Sequence, residues 1–163
     1  MTLASPIFKA MLAPNGFIEG RILASSGKVE VPLPEDDAMA LFVLLRIIHG
    51  QTQELSVAIN IRLLTKVAVL VDKYNLQDAV GFFAKIWMDY LEESGASQYD
   101  NTEDWLCIAW VFRDERLFNR VAKIAVMHSE QTFGSILDDL PSPKNLVGTF
   151  FYTKSLVSDI DHW

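Results

Sequence analysis

The chain has 163 residues, half of them hydrophobic, including ten Phe, four Trp and four Tyr. That length suits one domain, or one with a small extension, and the apolar content is enough for a sizeable core, which excludes a disordered chain. A net charge of −7 with scattered basic residues disfavours a nucleic-acid surface, and the single cysteine, Cys107, excludes an internal disulfide and suits a reducing, intracellular setting.

In chain order, Ser5-Pro6 reads as a helix start: Ser caps free N–H groups and Pro suits the first helical position. Ile7, Phe8, Met11 and Leu12 follow at helical spacing, and Pro14-Asn15-Gly16 ends the run. Ser25-Ser26-Gly27 marks a further turn. Val29-Glu30-Val31-Pro32-Leu33 then alternates apolar and polar residues, the pattern of a short strand. Pro32 has no N–H for a ladder, so an edge strand or a strand end is expected. No convincing partner strand follows it.

Pro34-Glu35-Asp36-Asp37 is an acidic helix entry. The helix it opens runs to about His49, with Gly50 as its stop, and is apolar on nearly every side from Met39 to Ile48. Such a helix is expected at the centre of a fold. The longest apolar run, Ala38–Leu45, lies between Asp37 and Arg46 and falls well short of the roughly 18 residues of a membrane span. No basic flank followed by a long apolar run is seen near Met1.

After the polar connection Gln51–Ser56, Asn60 caps a helix striped by Leu63, Leu64, Val67, Leu70, Val71 and Tyr74, and Asn75 supplies its left-handed end. The next helix starts almost at once, with Val80, Phe83, Ile86, Trp87, Tyr90 and Leu91 facing inward. So short a turn makes the two helices antiparallel neighbours. Ser94–Asn101 is polar and turn-rich. Thr102-Glu103-Asp104 starts another helix, carrying Trp105, Leu106, Ile108, Ala109 and Phe112. Arg113–Arg116 is the bend before a last stripe of Leu117, Phe118, Val121, Ile124, Ala125 and His128. Beyond Gln131 the pattern weakens: Pro141-Ser142-Pro143 breaks it, and Phe150-Phe151-Tyr152 is apolar without a period.

Five of these stretches, in this order and spacing, resemble the BTB/POZ domain, a protein–protein interaction fold, in the form common in filamentous fungi. They are SPIFKAML (5–12), VEVPLPEDD (29–37), LFVLLRIIHG (41–50), LLTKVAVLVDKYNL (63–76) and the aromatic helix up to Tyr90. Gly16-Phe17-x-Glu19 resembles the segment after the family's first helix, and Trp105–Phe112 is similar to a "W-L-x-I-x-W-V-F" stretch of the fungal forms. The resemblance covers roughly residues 3–130. It implies a mostly α fold, an α+β family remnant: BTB/POZ-like helical hairpins around a central helix, one short strand and a C-terminal helical extension. The organisation expected is a BTB/POZ-like domain over 1–93, an extension over 94–131 packed on it, and an irregular tail over 132–163.

The family's first two strands have no counterpart before Leu3. Together with the unrecognised tail after Pro141, this reads as a truncated or mis-spliced frame, the other reading being a shortened family member. In either case the third strand lacks partners, and the faces the missing hairpin would cover are expected to form an apolar patch.

The resemblance also places the candidate sites. In many BTB/POZ proteins the outer face of the first helix helps form a homodimer, which points to Ile7, Met11 and Leu12. Others recruit cullin-type ubiquitin ligases through a hydrophobic-x-Glu motif after the central helix. Here that connection holds Gln53, Glu54 and Leu55, with Thr52 where the hydrophobic residue is expected. The expected partner is therefore a protein, either a second copy or a cullin, with neither nucleic acid nor membrane and with no cofactor. The setting expected is intracellular, with nucleus and cytoplasm undistinguished.

Chemistry finds little support in the residues. His49 sits at a helix end, His128 continues a core stripe and His162 lies in the tail. No G-x-S-x-G, phosphate loop, H-E-x-x-H or cysteine pair occurs. Cys107 lies within an apolar face and reads as a structural thiol. Glu35-Asp36-Asp37 reads as a helix entry ahead of a metal or acid–base cluster. Trp105, Trp110 and Phe112 read as core packing ahead of a binding platform. The rival from another class is a small all-helical enzyme using His49 or Cys107.

Overall fold

Local chemistry at the helix ends accounts for most of the architecture. The computed structural model describes residues 4–95 and 100–128, and among them are seven α-helices and no strand. Helix α1 (Pro6–Met11) opens with Ser5, whose Oγ accepts the Phe8 N–H at 3.2 Å. Helix α2 (Ile18–Ser26) ends on Gly27, left-handed at φ 70°. Helix α3 (Ala38–Ile48) opens on Asp37, whose Oδ1 accepts the N–H groups of Met39 and Ala40. It is followed by Gly50 in the left-handed conformation. A single 3₁₀ turn, Thr52–Glu54, leads on.

Asn60 caps α4 (Ile61–Tyr74) by accepting the Leu63 N–H at 2.8 Å, and Asn75 closes it at φ 51°. Helix α5 (Gln77–Glu93) follows after that turn. Helix α6 (Thr102–Val111) carries Glu103 and Asp104 in its first turn, with the cap position at Asn101 rather than Thr102. Arg113, at φ 58°, turns the chain, and Asp114 accepts the Leu117 N–H to start α7 (Glu115–His128).

The centre of the bundle is α4. It packs against α1, α3, α5 and α6, and α6 in turn packs against α7. Leu64, Val67, Ala68, Val71 and Tyr74 of α4 are buried with Trp105 and Ile108 of α6, Val80 and Trp87 of α5, and Leu117 and Val121 of α7. These side chains belong to one continuous core from Phe8 to Ala122. Each large side chain removed from water there contributes about 1.5–3 kcal/mol before entropy is counted. The extension α6–α7 thus shares its core with the preceding helices. No helix of the described residues is long and apolar enough to cross a membrane.

Several expectations are corrected. Val29–Leu33 is not a strand: it has no regular structure, because no described segment offers it a ladder and Pro32 lacks an N–H. Its alternation survives as burial, with Val29, Val31 and Leu33 half-buried and Glu30 and Pro32 exposed. The most apolar helix, α3, is not the central one. It buries Ala40, Leu44 and Ile47 against α4 and α5 but leaves Met39 58 % and Phe42 52 % exposed. Composition gave α3 an apolar surface on all sides, while the neighbouring helices cover only one. Along α5, Ala84 and Met88 are buried where Phe83, Ile86 and Tyr90 are half-buried. The expectations for Pro141–Pro143, Phe150–Tyr152, His162 and the His128 side chain fall outside the described residues.

Candidate protein-interaction surface

Three segments far apart in sequence meet at the end of α4. The Ser5 hydroxyl, fully buried, donates to the Tyr74 backbone carbonyl at 2.6 Å. Phe8 stacks on the Tyr74 ring at 4.6 Å and 19°. The Tyr74 hydroxyl donates to Asp36, whose side chain is 1 % exposed and also receives the Lys73 ammonium at 2.6 Å. Two helical turns back along the same face, Lys66 pairs with Asp37 at 2.7 Å. Burial pushes the Tyr74 hydroxyl above the usual phenol range, and the Asp36 hydrogen bond and charge add to it. Its proton therefore stays in place to hold the carboxylate. The Lys66 hydrogen bond, with help from the Ala40 and Met39 N–H groups, holds Asp37 below the usual carboxylate range. Asp36 and Asp37 thus clamp the entry of α3 onto α4, Asp37 as the cap and Asp36 as the buried anchor.

This cluster fixes how α1 is presented. Phe8 is buried at its foot, Ile7 points away with 43 % of its surface exposed, and Met11 and Leu12 are half-buried, with Met11 packed on the core. The three residues singled out for a homodimer face are therefore not equally available: Ile7 is outward, Met11 partly committed. Helix α2 lies close behind. Gly20 sits so near the Ala13 carbonyl that a methyl group there would overlap it. Phe17, Ile18 and Ile22 stand outward there, at 63 %, 61 % and 43 % exposure.

The second candidate, Gln53-Glu54-Leu55, hangs from the end of α3. Arg46 ties it there: its guanidinium reaches Glu54 at 2.5 Å and the Gln51 carbonyl at 3.2 Å, and lies 5.3 Å from the Phe42 ring centre. Gln53 and Glu54 are exposed, and Leu55 turns half-buried onto the core. The α1 face and this loop thus belong to different elements, one docked on α4 and the other on α3.

Protein-family models, curated proteins and solved structures contain no match to this chain.

Outside these surfaces, Cys107 is buried, and burial, with the Asp104 and Asp72 charges behind it, pushes its thiol up to about 12. At neutral pH it is a protonated packing group. His49 is the exposed C-cap of α3. Trp105 is fully buried, Phe112 is half-buried on the core, and Trp110 remains 38 % exposed. Sequence reasoning missed the outward apolar residues of α2, because no periodic core stripe marks that helix. It also missed the Ser5–Tyr74–Asp36 cluster, whose members carry no local signal of one another.

Proposed function

We propose that this chain is a non-catalytic protein–protein interaction module of the BTB/POZ type, acting through its N-terminal helices on a second copy or a protein partner inside the cell. The observation that carries the reading is the run of large apolar side chains left in solvent on α1 to α3: Ile7, Phe17, Ile18, Ile22, Met39 and Phe42. Single exposed apolar residues are ordinary, but six on or beside the first three helices, Phe17 being the residue that opens α2, support the reading that a partner covers this part of the chain. The BTB/POZ part of the reading rests on the five sequence stretches. Three of them, SPIF, PEDD and DKYN, meet at Tyr74, which fits their belonging to one module.

Light scattering across a concentration series tests it. Self-association that is lost in Ile18→Glu/Phe42→Glu supports a homotypic module, while a pull-down of a cullin N-terminal domain reads the adaptor alternative through Glu54. A chain that stays monomeric, melts sharply and reversibly, and captures no cullin at micromolar concentration sinks both.

A further inference from the structure

The bend between α6 and α7 carries a cleft of about 610 Å³. Its aromatic wall is Trp110 and Phe118, with ring centres 6.0 Å apart at 58°. Trp110 is the exposed member of an otherwise buried run from Trp105 to Val111. Three carboxylates border the cleft: Asp72 of α4, Asp114 of the bend and Glu115 of α7. Asp114 is occupied as the cap of α7. Asp72 and Glu115 form no ion pair among the described residues. One cation, Arg113, also borders this cleft, but it borders the two neighbouring clefts as well.

An exposed tryptophan alone needs no explanation. An indole face beside two uncommitted carboxylates is different, because both attract the same group. The ring quadrupole draws a cation over its face and the carboxylates pair with it, and a guanidinium can do both at once. The chain's charge of −7 adds a field of the same sign. We infer that this cleft holds an arginine or lysine side chain of a protein partner. The inference deepens the interaction-module reading and rests on it, adding a second contact surface distinct from the apolar one.

The test uses the full chain and an acetylated, amidated Gly-Ser-Arg-Ser-Gly peptide, with Gln in place of Arg as the control, followed by amide and indole chemical shifts. The arginine peptide shifts the Trp110 indole and the α6–α7 bend, and binds about fivefold or more tighter than the control. Asp72→Asn/Glu115→Gln removes that preference, and so does high salt, with the melt of the variant recorded to show that it remains folded at the temperature of the titration. Equal response to both peptides, shifts that survive the double substitution, or no response at millimolar peptide overturns the inference. Loss of peptide binding alongside persistent self-association removes only the cleft. Loss of self-association with peptide binding intact removes only the apolar surface.

Discussion

The Ser5 hydroxyl donates to the carbonyl of Tyr74 at 2.6 Å, across 69 positions of chain. One side chain thereby serves two helices: it caps the start of α1 and occupies a carbonyl at the end of α4, where helical partners run out. Ser5 is fully buried, so neither group finds water once it is gone.

Ser5→Ala removes both bonds and is expected to destabilise the fold by about 2 kcal/mol, from a lost cap and a buried carbonyl left unpaired. Urea unfolding checks this through a lower midpoint at unchanged slope. Ser5→Thr, which keeps the hydroxyl, recovers part of the loss. A midpoint unchanged in Ser5→Ala would mean that α1 is not anchored this way.

What could be read from the sequence was local. Ser5-Pro6, Asn60 and Asn75 each act on a neighbour within a turn or so, and each stands at the helix end expected of it. The stripe of α4 was legible for the same reason: period and burial coincide on a helix packed by four others. Tertiary context decided the rest. Val29–Leu33 has the alternation of a strand, yet alternation cannot supply the partner that makes one. Phe42 and Met39 are as apolar as Leu44, and only the placing of α4 and α5 tells them apart. Of the candidate surface, Ile7 and the Glu54 loop were singled out through the resemblance and stand exposed, while α2 carried no such signal, since its apolar residues cover no core.

Asp37 links stability to acid. Its carboxylate is held below the ordinary value of 3.8, first by the Lys66 hydrogen bond and then by the Ala40 N–H. A depressed folded value means that the stabilisation is complete above the unfolded value and disappears as pH falls through the folded one. Acid titration of stability is therefore expected to steepen below about pH 4. Lys66→Met should flatten that part of the curve while leaving the cap bonds to Met39 and Ala40 in place. If wild type and Lys66→Met lose stability in parallel, the pair contributes nothing to the acid response.

Two glycines in helices are expected to respond oppositely to the same change. Gly81 lies within α5 with nothing within 4 Å of an added methyl group. Gly81→Ala should raise stability by about 0.5–1 kcal/mol through helix propensity and a less free unfolded chain. Gly20 lies in α2, where the methyl group would overlap the Ala13 carbonyl oxygen and come within 2.7 Å of its carbon. Gly20→Ala must push α2 from the turn after α1, lowering the melting temperature and altering amide exchange over 12–27. Equal effects at the two sites would contradict the close approach of α2.

Cys107 contributes to the alkaline limb of stability and opens it. Unfolded, the thiol ionises near 9.0; in the core, burial and the charges of Asp104 and Asp72 keep its proton until about 12. As pH rises through that window the unfolded chain releases a proton that the folded chain retains, so folding loses ground, by up to about 1.4 kcal/mol per pH unit. Tyr74, also raised, acts in the same direction from about pH 10 upward, as its unfolded form ionises. Comparing wild type with Cys107→Ala isolates the thiol. The variant starts less stable because a small cavity replaces sulfur, yet its stability should fall less steeply between pH 9 and 12. Parallel slopes across that range would show that the thiol is ionised in the fold. In that case a thiol-specific reagent would label the native chain at pH 9, where the packing around α6 predicts labelling only on unfolding.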